Sequence, residues 1–299
     1  MDLPHLQKDK KVVVFGAASL DVVGRPEGIP EPGTSSPAMV RTSYGGVARN
    51  VAETLARLGQ PTALVTVVGN DSIGRAILRH LDHLDVDISA SIKVEDYRTA
   101  AYLAVLNEQG DLYFGLDDMN ILNCLTPERL RACAGLLADA SLVFVDANLP
   151  PAALKTIFAM AERANIPVIA DATSGAVAPR LEPYISQMYL LTANRSEANA
   201  LLRGKVEVSG RSSGIQAARE FVRMGAKIAI VPIAEGGVCY ATSQIYGHIP
   251  AVITQIKDTT GAGDALTGTT IFALLNDLDL DESVRLGVTA ASLTLAYPG

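Results

Sequence analysis

The chain has 299 residues, 48% apolar and 19% charged, with a net charge of −7, and its length predicts one large domain over residues 1–299 with a small inserted piece. That acidic balance speaks against nucleic acid as a partner, and no apolar run approaches the roughly 18 residues of a membrane span. The polar start "MDLPHLQKDKK" lacks a signal core, and three Cys at no close spacing with four His argue against a zinc site, so a reduced, cytoplasmic chain is expected.

In chain order, "KVVVFG" (Lys11–Gly16) reads as a buried strand. "GVARNVAETLARLG" (Gly46–Gly59) has helical spacing and a glycine stop. "TALVTVVG" is the next strand and "SIGRAILRHLDHL" the next helix. Later strands are "SLVFVDA", "IPVIADA", "MYLLTAN" and "KIAIVPI". Helical patterns "TPERLRACAGLLADA", "PPAALKTIFAMAERAN" and "SGIQAAREFVRMGA" are interleaved with them. Apolar strands alternating with helices predict a mostly parallel sheet covered on both faces. Two segments break the rhythm: 29–44, rich in Pro, Ser and Thr, and 92–122, where "TAAYLAVL", "NEQGD" and "LYFGLDD" read as a hairpin. Together they predict a small β lid.

Four stretches carry candidate chemistry. "KDTTGAGDALTG" (Lys257–Gly268) runs into an apparently amphipathic helix, so the backbone N–H groups of Gly261, Ala262 and Gly263 are open to an anion at its mouth. Asp264 would sit there as a proton acceptor, or as a favourable first-turn charge. Asp21 follows the first strand, where a carboxylate can hold a vicinal diol or merely cap a turn. In "YGGVARN", Gly45 and Gly46 let the backbone approach a ligand and Asn50 offers an amide. In "NRSEAN", Asn194 and Glu197 suit Mg²⁺ through water, or form a capping box. Neither GxxxxGK[ST] nor GxGxxG after the first strand occurs, which disfavours a P-loop protein and a dinucleotide dehydrogenase.

The order of "GGVARN", "NRSE" and "DTTGAGD", with Asp21 ahead of them, resembles the ribokinase-like (PfkB) carbohydrate and nucleoside kinases over nearly the whole chain. The resemblance implies a three-layer α/β/α sandwich with a β lid over the sugar, and an ATP- and Mg²⁺-dependent phosphotransferase. It implies Asp264 as base, Gly261 to Gly263 as anion hole, and Asp21, Gly45, Gly46 and Asn50 as acceptor contacts. Asn194 and Glu197 would serve the phosphate and Mg²⁺ region, and Asp258 and Thr260 the loop of a monovalent cation such as K⁺. A homodimer through the lid is a further expectation. The wording of "GGVARNVAETLARLG", "TAAYLAVLNEQGDL" and "DDMNIL" is most similar to pseudouridine kinases, which implies the 5′-hydroxyl of pseudouridine as acceptor, with Tyr44 and Tyr113 candidates to pack on its base. One rival reading is another sugar or nucleoside kinase of the family, ribokinase- or fructokinase-like; Pro232 and Ala234 depart from the family's usual Thr and Gly, and the chain stops at "LAYPG", so a sugar- or nucleoside-binding protein without turnover is the other.

Overall fold

The computed structural model describes residues 6–30, 33–107, 112–255 and 260–297. β1 (Lys11–Phe15) lies in the middle of the central sheet. Its Val12 and Val14 face one core cluster, while Val13 and Phe15 face the other. A strand buried on both faces must be apolar throughout, which is why these strands show continuous apolar runs and no alternation.

The chain then leaves the sheet for β2 (Ser19–Pro26) and β3 (Ala38–Gly45), and passes directly into α1 (Val47–Arg57). It continues through β4 (Thr62–Val65), β5 (Val67–Gly69), α2 (Ser72–Asp82), β6 (Ile92–Val94), β7 (Ala100–Leu106) and β8 (Leu112–Asp118). Next come α3 (Pro127–Ala132), β9 (Ala140–Asp146), α4 (Pro151–Ala164), β10 (Val168–Asp171), β11 (Met188–Thr192), α5 (Arg195–Leu202) and α6 (Arg211–Arg223). The last elements are β12 (Ile228–Pro232), β13 (Val238–Ala241), β14 (Tyr246–Ile249), α7 (Ala262–Leu275) and α8 (Leu280–Ala296).

Eight strands form the central sheet in the order β14-β13-β12-β11-β10-β9-β1-β4, parallel from β12 to β4 and antiparallel at β13 and β14. α1, α2, α7 and α8 cover one face, and α3 to α6 the other, giving the three-layer sandwich. The strand order reverses between β1 and β9, and ligands of open α/β sheets bind beyond the carboxyl ends at such a point. A second sheet, β3-β2-β7-β8, stands beside it. Among the described residues no helix is long and apolar enough to cross a membrane.

Four sequence expectations need correction. "TALVTVVG" is not one strand: Thr66 accepts from the Ile92 amide, and the chain swings out to pair β5 with β6. "TPERLRACAGLLADA" is not one α-helix. It breaks at Cys133 into a 3-10 turn, Ala134–Asp139, that contains the weak helix former Gly135. α7 is not amphipathic: it lies between α1 and α8, and most of its circumference is buried. The β-rich piece read from 29–44 and 92–122 omitted β2 and took in β6. Asp21, Gly24 and Pro26 are weak strand formers and hid a strand that pairs on both edges, with β3 and β7.

Candidate active site

Gly261 adopts φ +76 at the start of α7, a conformation open mainly to glycine, and no side chain caps this helix end. The first N–H groups of a helix have no partner within it. Gly263 is exposed, and a Cβ added there would have no atom within 4 Å. Asp264, next along, is buried, with Oδ2 accepting a hydrogen bond of 2.6 Å from Asn50 Nδ2. Burial, then the neighbouring Asp171 carboxyl, push Asp264 up to about 8, against the pull of the Asn50 hydrogen bond.

Asn50 comes from the other glycine-bounded helix start. Gly46 holds φ +94, and a Cβ there would lie 2.4 Å from the Ala17 carbonyl oxygen. A Cβ on Gly45 would lie 2.1 Å from the Asp21 carboxylate. Asp21 is buried on β2, accepts from Ser19 Oγ at 2.9 Å, and adds to the negative field that raises Asp264. The two helix starts meet at one edge of a cleft of about 570 Å³, lined among others by Leu20, Tyr44, Asn50, Gly261 and Ala265.

Beneath them the parallel strands end in acids. Asp146 and Asp171 are register partners at the ends of β9 and β10. Asp146 accepts from the backbone N–H groups of Ala17, Ala48 and Asn148 at 2.8, 3.1 and 2.9 Å, and burial raises it to about 6 despite these bonds. Burial and the neighbouring Glu197 raise Asp171, while burial and Asp264 raise Glu197. Thr267 of α7 reaches both Asp171 and Thr192 at 3.4 Å, fixing the helix over these strand ends. Asn194 caps α5, and Glu197 returns to its N–H at 2.7 Å in a capping box.

Asp264, Gly261, Ala262, Gly263, Asn50, Gly45, Gly46 and Asp21 thus gather at the carboxyl end of the sheet. Glu197 faces Asp264 and Asp171 electrostatically, and Asn194 is tied to it through the capping box. Thr260 lines the same cleft, while Asp258 lies outside the described residues. Tyr44 also lines it, in a tilted contact with His80 at 5.5 Å, but Tyr113 is 66% exposed on β8 against Phe114. Pro232 closes β12, and Ala234 takes φ +52, a backbone that glycine adopts more readily than alanine. Sequence reasoning passed over Arg49, Asp146, Asp171 and Thr267. The readable signal was "VFVDA" and "VIADA", two apolar runs that each end on an Asp.

Residues 9–299 match the pfkB family carbohydrate kinase profile. The chain is 29% identical to pseudouridine kinase from Escherichia coli over 286 residues, covering 95% of this chain and 90% of that protein. It is 26% identical to mouse ribokinase, covering 96% and 90%. The structure of Arabidopsis thaliana ribokinase complexed with ribose and ATP superposes with a TM-score of 0.84 at 22% identity, covering 97% of this chain and 94% of that one. With its ribokinase-like sandwich and a matching profile over nearly its whole length, the chain belongs to the pfkB family of carbohydrate kinases, phosphotransferases acting on a sugar hydroxyl.

Proposed function

We propose that this kinase moves the γ-phosphoryl group of ATP to the 5′-hydroxyl of a ribose-containing acceptor, and that pseudouridine is the acceptor it prefers. The observation that carries this reading is the Asn50–Asp264 hydrogen bond of 2.6 Å, which joins the acceptor-side helix start to the phosphate-side one. Asp264 takes the proton of the attacking hydroxyl. Gly261, Ala262 and Gly263 offer N–H groups to the charge on the transferring phosphoryl, with α7 pointing its positive end the same way. Phosphoryl transfer asks for positioning and charge neutralisation and little covalent chemistry, which suits so small a set of groups.

Asp21, Gly45, Gly46 and Asn50 hold the acceptor in this reading. Asn194, with Gly261 and Gly263, faces the nucleotide phosphates. Mg²⁺ fits beside Glu197, a hard oxygen donor that burial and then the neighbouring Asp264 raise above its ordinary range, and a divalent cation reached through water would favour its charged form. Among the described residues no three such side chains converge at direct ligand spacing, which favours contact through water and phosphate. When bound, Mg²⁺ would neutralise phosphate charge. Asp258 and Thr260 are the residues assigned to K⁺ in this reading, and activity assays with K⁺ replaced by choline test it. The exposed apolar side chains of the second sheet, Met39, Val40, Leu112 and Leu116, support a homodimer through the lid, which a monomeric mass by light scattering would remove. An ATP-consuming enzyme with unpaired Cys124, Cys133 and Cys239 suits the cytoplasm.

ADP release with a panel of acceptors tests the whole reading. Pseudouridine is expected to exceed uridine, adenosine, ribose and fructose in kcat/KM. The similarity to ribokinase makes free ribose the main competitor. A wide margin for ribose would overturn the substrate and leave the kinase standing. Asp21→Ala is expected mainly to raise the acceptor KM, because two charge-assisted hydrogen bonds of about 1.5–3 kcal/mol each would go. Unchanged KM and kcat would reduce Asp21 to a partner of Ser19.

A further inference from the structure

Arg49 stands beside Asn50 in "GGVARN" and is almost fully buried, with its side chain 9% exposed. Its Nη1 donates to the Tyr44 carbonyl at 2.8 Å and to Asn50 Oδ1 at 2.5 Å. Nη2 meets Glu53, which also takes Arg57 and His80, while Nε is buried without a hydrogen-bond partner. A guanidinium only donates, and an ionised carboxylate only accepts. An amide caught between them must turn Oδ1 to Arg49 and Nδ2 to Asp264, as found here. The opposite orientation would set an oxygen against the carboxylate and favour its protonated form.

We propose that Arg49 is a positioning residue for phosphoryl transfer: by fixing the orientation of the Asn50 amide, it holds the amide N–H on Asp264 and keeps that carboxyl group aimed. The role rests on the reading of Asp264 as the base. Arg49 is a cation that faces Asp21 on β2 and Asp264, while Asp146 on β9, Asp171 on β10 and Glu197 on α5 are the other acids around Asp264. Around Arg49 itself stand Glu53 and Arg57 on α1, His80 on α2, Tyr44 on β3, Asp21 and Asp264. Burial pulls its guanidinium down to about 10, still far above neutral, so it stays charged through any assay near neutrality.

The test follows the Asp264 carboxyl by ¹³C NMR in the full chain, its resonance identified by loss in Asp264→Asn. Arg49→Lys keeps the charge and loses the planar fork that serves two acceptors at once. Its Asp264 midpoint is expected to rise by about one pH unit, as is that of Asn50→Ala, and the acid limb of kcat/KM should rise in step. In the Asn50→Ala background, Arg49→Lys should add nothing, because the link it acts through has gone. A wild-type midpoint in Arg49→Lys, or a full additional shift in the double variant, overturns the proposal. Should Arg49→Lys not fold, an unmoved midpoint in Asn50→Ala overturns it equally. Absence of ADP release by the wild type with every acceptor defeats the kinase reading instead, and the titration distinguishes the two failures.

Discussion

Asp264→Asn is expected to lower kcat by about 10²–10⁴-fold, the usual contribution of a general base, while both substrates still bind. The amide keeps the size of the side chain and removes its ability to take a proton. The wild-type kcat/KM should rise with pH as Asp264 ionises, toward its value of about 8, and this limb should vanish in the variant. Stability should respond in the opposite sense. Folded Asp264 keeps its proton over a range in which the unfolded chain has lost it, so this residue's contribution falls as pH rises from about 4 to about 8. The variant escapes that loss, and its melting temperature should gain on the wild type through this window and hold the gain above it. Steady-state rates and melting curves at pH 5, 7 and 9 check both limbs. A fully active, normally folded Asp264→Asn enzyme would make the carboxylate only a charge at a helix end.

Asp146→Ala is expected to be the most damaging single change to folding. Asp146 is fully buried and binds three backbone N–H groups from three segments: the exit of β1, the start of α1 and the turn after β9. Truncation leaves all three unsatisfied at about 1–3 kcal/mol each. A loss of about 3–5 kcal/mol, or roughly 10 °C in Tm, is expected. The site is too tight for a larger replacement, since a Cβ at Gly16 would lie 2.2 Å from Asp146 Oδ2. Asp146→Asn should lose less, as one oxygen can still accept. Urea midpoints for the two variants decide this, and a wild-type midpoint in Asp146→Ala would show that water replaces the carboxylate.

The contrast between these two acids shows what could be read from the chain. Asp264 was legible because two glycines and a helix start accompany it, and those neighbours have few other uses together. Asp146 and Asp171 had only an apolar run before them. Their importance appears when β9 and β10 align and set the two acids side by side at the point where the strand order reverses. The sheet strands could be read for the same local reason, since burial on both faces demands unbroken apolar runs. β2 could not: its inward and outward residues differ, and Asp21, Gly24 and Pro26 interrupt the pattern that its two partners stabilise. Arg49 was hidden differently. Its neighbours in sequence carry the motif, and its role comes from where its fork reaches.

β3 ends at Gly45 and α1 begins at Val47, so Gly46 is a joint between a sheet arm and a helix arm. The arms are unequal. The 8 residues of β3 span about 26 Å, whereas Asn50, four residues past the joint, lies only about 6 Å along the helix. Such a joint is geared down: a swing that carries the far end of β3 by 4 Å carries the amide by about 1 Å. In the proposed reading, acceptors of different bulk held under the sheet would therefore disturb Asn50 and Asp264 far less than they disturb the strands above them. On that reading one scaffold could change its acceptor by altering the long arm while the short arm keeps its aim.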